Sequence, residues 1–454
     1  MRNIFKQLFL ALALTTLSAN AAVTGDVNGD GSVNISDVNF IINLILEGEY
    51  GIQADLNHDG TVNISDLNTI IGIILGDVPQ EEEPARLVGG DISMLTKYEA
   101  HYKMARERYN ISNVGYYDNS GTRIDELISW LKGQGWNAAR VRLFVNPENA
   151  SHEHMEQGVI QNLDTVKVLG RRIKEAGMKF MLDFHYSDTW ADPASQYTPA
   201  AWASLDDDAL VQQVYEYTRD CLRALKEAGA TPDYIQTGNE ISYGMLWGPV
   251  GTPKDQLIQC FSNSSEANWA RFARLLTAAG NACREECPDA KIILHTERVP
   301  RPSTLQGFYN YMKNNGVDYD IIGLSYYPYY HGLLNVLNTA LRTLQASYPD
   351  KDVMIVETGY SYEYDMGGSV DCSSTWPISQ QGQRQFTIDL INKLKEFDNV
   401  KGLFWWFPEA NEYGLGGSNW STLHVNANWY NAGLWNHKSG RALPALSELK
   451  NFVE

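Results

Sequence analysis

From Leu87 onward, short apolar runs rich in β-branched and aromatic residues alternate with longer stretches whose apolar positions recur every three to four residues. This is the pattern of parallel strands crossed by helices. Eight strands are predicted, over residues 87–95, 138–145, 179–186, 233–240, 291–298, 320–328, 352–360 and 400–408. Helical periodicity falls between them, for instance over 124–132, 210–228 and 386–397. Eight such units in about 370 residues predict an α/β fold, a (β/α)8 TIM barrel with its surplus length in loops. A doubly wound sheet would need a Gly-rich phosphate loop after its first strand, and none stands there.

Before Leu87 the pattern changes. Residues 26–37 read DVNGDGSVNISD and residues 55–66 read DLNHDGTVNISD, one unit repeated 29 residues on. Each unit offers oxygen ligands at loop positions 1, 3, 5, 7, 9 and 12, with Gly at 6, as a hard Ca²⁺ ion requires. The ligands expected are Asp26, Asn28, Asp30, Ser32, Asn34 and Asp37, then Asp55, Asn57, Asp59, Thr61, Asn63 and Asp66. One apolar helix follows each loop, and position 12 is Asp rather than Glu. This loop–helix duplication resembles a dockerin, a small all-α calcium-binding module, and the resemblance implies two Ca²⁺ ions and a cohesin-like protein partner. A bare calcium-stapled cap is the alternative.

At the N-terminus, Arg2 and Lys6 precede the apolar run Leu8–Leu14 and the small-residue stretch Ser18–Ala21, the signature of a cleaved secretory signal. The run is shorter than the ~20 residues a membrane span needs. The expected organisation is therefore a signal peptide (1–21), the dockerin-like module (22–77), a Pro- and Glu-rich linker (78–86) and the barrel (87–454). Secreted, periplasmic or cell-surface placement and a monomer are expected.

Charge narrows the partners. With 36 Lys and Arg against 55 Asp and Glu, the chain carries −19, so a nucleic-acid backbone would be repelled. Residues 22–85 hold 7 Asp and 5 Glu and no Lys or Arg, so without Ca²⁺ their loops repel themselves open. Aromatic residues make 11% of the chain, a supply of flat surfaces for sugars. The five cysteines are an odd number and are assigned no chemistry.

In a barrel the chemistry sits at the carboxyl ends of strands. Glu240 ends the fourth strand and Glu357 the seventh, so two carboxylates can face one another across the mouth, as glycoside hydrolysis requires. Asn239 is placed to grip a sugar hydroxyl, and Arg142 and Tyr326 are expected to hold Glu357 ionised. Trp190 and Trp406 are expected to stack on sugar faces, Asp188 and Asp192 to flank Trp190 on its loop, and His185 and, more weakly, His295 to reach the sugar. Of the adjacent Trp405 and Trp406, alternation sends one inward, and Trp406 is the choice.

These residues resemble a family. The stretch from Arg140 to Pro147, HYSDTWADP from His185 to Pro193, TGNE ending at Glu240, SYYP ending at Pro328 and Glu357-Thr358-Gly359-Tyr360 are similar to glycoside hydrolase family 53, the endo-β-1,4-galactanases. The resemblance covers most of residues 87–454. It implies a retaining enzyme with Glu240 as acid/base, Glu357 as nucleophile and a cleft for pectic β-1,4-galactan. Two departures stand out. Trp406-Phe407-Pro408 replaces the family's Trp-Glu-Pro, and residues 361–380 lack the Asp-x-Asp-x-His run with which some bacterial members bind Ca²⁺, so no catalytic-domain metal is expected. The alternatives are hydrolysis of mannan or glucan, a non-catalytic glycan-binding protein, and a scaffold component whose main role is docking.

Overall fold

The structure, a computed structural model, describes residues 25–56, 61–75, 85–260, 265–426 and 429–454. The signal segment 1–21, the ligands Asn57 and Asp59, and linker residues 78–84 lie outside the described residues. The chain divides into two compact units, one ending at Pro84 and one spanning Ala85–Glu454.

In the first unit, α1 (Ile35–Glu47) and α2 (Ile64–Leu75) each follow one acidic loop. Asn34 caps α1 by accepting the Ser36 N–H, Asp37 returns a bond to the Asn34 N–H, and Gly48 ends the helix at φ 68°. Asp37 is fully buried and also accepts the Val27 and Asn28 N–H groups. Asp66 repeats the arrangement, accepting from Leu56 and Asn63. Val27, Val38, Ile41, Ala54 and Ile70 form a small core shared by both repeats. So small a core stabilises little by itself, which makes the acidic loops dependent on a staple.

The second unit is a closed barrel of eight parallel strands. They are β1 (Leu87–Asp91), β2 (Ala138–Leu143), β3 (Lys179–Phe184), β4 (Tyr234–Thr237), β5 (Lys291–Thr296), β6 (Ile321–Tyr326), β7 (Asp352–Thr358) and β8 (Val400–Trp406). Each pairs with its sequence neighbours, and β8 closes on β1. All eight expected strands are present, with shorter ends. The connecting helices are amphipathic. In α3 (Leu163–Glu175), Asn162 caps the first turn by accepting the Thr165 N–H, while Val166, Leu169 and Ile173 face inward at helical spacing.

Alternation along the strands divides the barrel interior by height. At the amino-terminal end, Leu87, Ala138, Met181, Tyr234, Ile293, Ile321, Met354, Val356 and Phe404 form an apolar plug. Further up the same faces stand Arg140, Asp183, Gln236, His295 and Ser325, all fully buried. β7 departs from regularity. Leu324 pairs with Ile355 and Ser325 with Glu357, so β7 carries one extra residue against β6 there, and it does so against β8 as well. This bulge lets Val356 join the plug while its neighbour Glu357 also turns inward. Among the described residues no helix is long and apolar enough to cross a membrane. All five cysteines are buried free thiols.

Candidate active site

At the carboxyl end of the barrel lies a cavity of about 470 Å³. Trp190, Asp192, Asn239, Glu240, Glu297 and Glu357 line it, closed over by Tyr327, Tyr330, His331, Trp406 and Trp429. β4 ends at Thr237, and the chain then turns through Gly238 at φ 112° and Glu240 at φ 47°. A glutamate in the left-handed region is strained and is held there by its surroundings, here the Ile241 N–H donating to the His295 carbonyl at 2.9 Å.

The two candidate carboxylates have opposite surroundings. Glu357 lies 3.0 Å from Arg140 and accepts the Tyr327 hydroxyl at 3.1 Å. Burial lifts its pKa to about 7, while Arg140 and the Tyr327 hydroxyl pull it down. Burial lifts Glu240 well above the usual carboxylate range, and the negative Glu357 and Glu297 push it further, against a hydrogen bond from the Ser325 hydroxyl. Of the pair, Glu240 is driven harder toward its protonated form and Glu357 is the one a cation stabilises as the anion, the asymmetry that an acid and a nucleophile need.

Arg140 organises the centre. Fully buried, it donates to Gln236 at 2.7 Å, Asp91 at 2.8 Å, Asp183 at 2.7 Å and Asn239 at 2.9 Å, and it forms an ion pair with Glu357 at 3.0 Å. Asp91 and Asp183 share this guanidinium with Glu357.

The expected contacts of Arg142 and Tyr326 with Glu357 belong to other residues. Arg140 and Tyr327 make them. Arg142 instead packs under the aromatic wall, its guanidinium 5.0 Å from the Trp190 ring and 4.6 Å from those of Trp406 and Phe407. Tyr326 points to the other side of the sheet and donates to the Gly332 carbonyl at 2.8 Å. Three further candidates lie behind the cavity wall. His185 sits 3.1 Å from Asp183 and accepts the Ala191 N–H, fixing the Trp190 loop. His295 contacts Asn239, Gln236 and Ser325, and burial holds it well below its usual range, hence neutral. Asp188 accepts from Asn149 and Ala200, bracing the loop rather than facing the cavity. Trp190, Asp192, Asn239 and Trp406 do line it. Trp405 turns outward, its indole donating to the Ala432 carbonyl.

Glu297, Tyr327, Tyr330 and His331 line the cavity although the strand-end pattern by itself assigns them no sugar contact. For two of them alternation holds the signal: Ile293, His295 and Glu297 share a face, as do Ile321, Gly323, Ser325 and Tyr327. The acid missing from Trp406-Phe407-Pro408 is answered by Glu409, which is buried, accepts the Met94 N–H at 2.8 Å and is pushed by burial to about 8.

Comparison with known proteins matches residues 24–75 to the dockerin type I domain. The probable arabinogalactan endo-beta-1,4-galactanase A of Aspergillus fumigatus is 33% identical over 310 residues, 64% of this chain and 78% of that protein. The endo-beta-1,4-galactanase of Bacillus subtilis is 31% identical over 307 residues, 65% of this chain and 66% of that one. The solved GH53 catalytic domain of Ignisphaera aggregans superposes with a TM-score of 0.65 at 32% identity, covering 82% of this chain and 97% of that domain. The model of glycosyl hydrolase family 53 spans residues 87–449, and with the barrel and its paired glutamates already in place, the chain belongs to that family.

Proposed function

We propose that the protein is an exported endo-β-1,4-galactanase that cleaves internal galactosidic bonds of galactan with retention. The observation that carries this is the asymmetry within one cavity: Glu357 faces Arg140 and Tyr327, whereas Glu240 faces other carboxylates. Glu357 attacks the anomeric carbon as the bond to the leaving oxygen breaks, and the Glu240 proton passes to that oxygen. Water then gives a proton to Glu240 and attacks the anomeric carbon, releasing Glu357. Trp190, Trp406 and Trp429 supply aromatic faces for sugar rings, and Asn239, held by Arg140 and by the Ala191 carbonyl at 2.7 Å, presents its amide at the cavity. The galactan assignment is supported by relatives named as galactanases.

The N-terminal module supports calcium binding and docking. Its donor set is all oxygen, and the first loop already curls inward, with the Asp26 carboxylate accepting the Asp30 and Gly31 N–H groups. Asp26, Asn28, Asp30, Ser32, Asn34 and Asp37 would hold one Ca²⁺, and Asp55, Asn57, Asp59, Thr61, Asn63 and Asp66 a second. Bound calcium would neutralise the loop carboxylates and fix the helix that follows. Ile35 and Ile64, 65% and 63% exposed, occupy the same place in each repeat and offer matched apolar contacts for a cohesin-like partner.

The test is reducing-sugar release, with product sizing and anomeric NMR, on β-1,4-galactan beside mannan, xylan and cellulose. Short galacto-oligomers released first as the β-anomer are expected. Release only from another polymer would overturn the substrate, the α-anomer would overturn retention, and silence on all four would overturn hydrolysis.

A further inference from the structure

Glu297 takes no part in the double displacement, yet it lines the same cavity as Glu240 and Glu357. It stands one residue beyond β5, and two bonds join this strand end to the segment that follows β4. The Ile241 N–H donates to the His295 carbonyl at 2.9 Å, and the Ser242 hydroxyl donates to Glu297 Oε2 at 2.7 Å. Arg298 Nε lies 2.8 Å from Oε1, and its guanidinium carbon rests 3.9 Å from the Tyr243 ring centroid. One carboxyl oxygen is therefore held by a hydrogen bond and the other by an ion pair, and the residue is 7% exposed. Ser242, Tyr243 and Glu240 share one short segment, so the same tether that orients Glu297 also sets its distance from Glu240.

We propose that Glu297 is a positioning residue that keeps the proton on Glu240, so that the acid stays loaded to higher pH than burial alone would allow. This rests on the reading of Glu240 as the acid. The groups facing Glu240 are Glu357 from β7, Glu297 and Arg298 from the end of β5, Ser325 from β6, Asp192 from the loop after β3, and Tyr327 and Tyr330 from the segment after β6. Three of these are carboxylates, and Arg298 is the lone cation of the set. A like charge beside a carboxyl disfavours its ionised form. Burial lifts Glu297 to about 7, so on the alkaline side of neutrality it carries a negative charge in the cavity it shares with Glu240. Removing that charge lets Glu240 ionise at lower pH. Removing Arg298 takes away the cation that faces Glu240 and moves Glu240 the other way.

The experiment is the pH profile of kcat/KM on galactan for the full chain, Glu297→Gln, Glu297→Asp and Arg298→Met, each checked for folding by thermal unfolding. The alkaline limb is expected to fall by roughly half a unit to one unit in Glu297→Gln. Partial recovery is expected in Glu297→Asp, and a rise in Arg298→Met. A limb that stays put in folded Glu297→Gln, whether Tm or KM changes or not, overturns the proposal, as do shifts of the same sign in Glu297→Gln and Arg298→Met. Glu240→Ala on an aryl galactoside with a good leaving group separates the two levels. Equal loss on aryl and polymer substrates removes Glu240 as the acid, whereas spared aryl cleavage with an unmoved limb removes Glu297 alone.

Discussion

Replacing Arg140 with Lys keeps one positive charge at the centre of the site and removes the fork that distributes it. Arg140 serves Asp91, Asp183, Glu357, Gln236 and Asn239. An ammonium has three donors, so at least one of the four hydrogen bonds, those to Asp91, Asp183, Gln236 and Asn239, is lost. The contact with Glu357 at 3.0 Å places the charge centres about 4 Å apart, an interaction of about 4 kcal/mol at an effective dielectric of 20. Drawing the charge back by about 2 Å leaves roughly two thirds of that. The loss of about 1.4 kcal/mol is about one pH unit. Glu357 must be ionised to attack, so the acid limb of kcat/KM should move up by about one unit in Arg140→Lys. In Arg140→Met the limb should move by about three, leaving little activity at neutrality. Stripping one partner from a buried ion pair also costs about 3–5 kcal/mol, so Arg140→Met is expected to be marginally folded and Arg140→Lys is the informative variant. Urea unfolding establishes that Arg140→Lys is folded, and its pH–rate profile then decides. An acid limb within a fifth of a unit of the parent would refute the claim that Arg140 holds Glu357 ionised.

Four other outcomes are expected. Glu357→Ala should abolish turnover on every substrate. Glu240→Ala should lose about 10²–10⁴-fold on galactan yet spare the first step on substrates with good leaving groups, as burst kinetics would show. Tyr327→Phe removes a bond to Glu357 and should lower kcat/KM by about tenfold or more with a raised acid limb, whereas Tyr326→Phe loses a bond to the Gly332 carbonyl and should cost about 1 kcal/mol of stability with no change in the limb. Glu409 has a folded pKa near 8, above its unfolded value, so the folded state binds the extra proton. Stability from this group is therefore present at low pH and is lost as pH rises from about 4 to about 8. Glu409→Gln should flatten that decline in urea titrations.

The eight strands were legible because buried parallel strands are apolar runs bounded by helical periodicity, and the two glutamates because barrel chemistry gathers at strand ends. The errors share a cause. Arg140 and Arg142 lie on one face of β2, so alternation puts both inside the barrel. Which of them meets Glu357 depends on strand tilt and height, and these emerge only when the barrel closes. Tyr326 and Tyr327 differ by one residue and so by one face. The alternation running through Gly323 and Ser325 favoured Tyr327, had it been followed past the end of the strand. Glu357 shows the reverse case: strict alternation from Met354 and Val356 would turn it out toward the helices, and only the bulge turns it in. His185 and Asp188 stand within a motif specific to the family, yet their contacts show them to be supports for Trp190 rather than walls of the cavity.

The bulge in β7 gives the strand two neighbouring inward places where regular alternation allows one. Deleting one codon at Val356 would restore regular pairing with β6 and leave Glu357 facing inward opposite Ser325, but it would open a gap in the apolar plug where Val356 had been. Folding and catalysis would then compete for a single position on this strand. In a designed barrel, a nucleophile introduced without such an insertion would have to displace part of the plug.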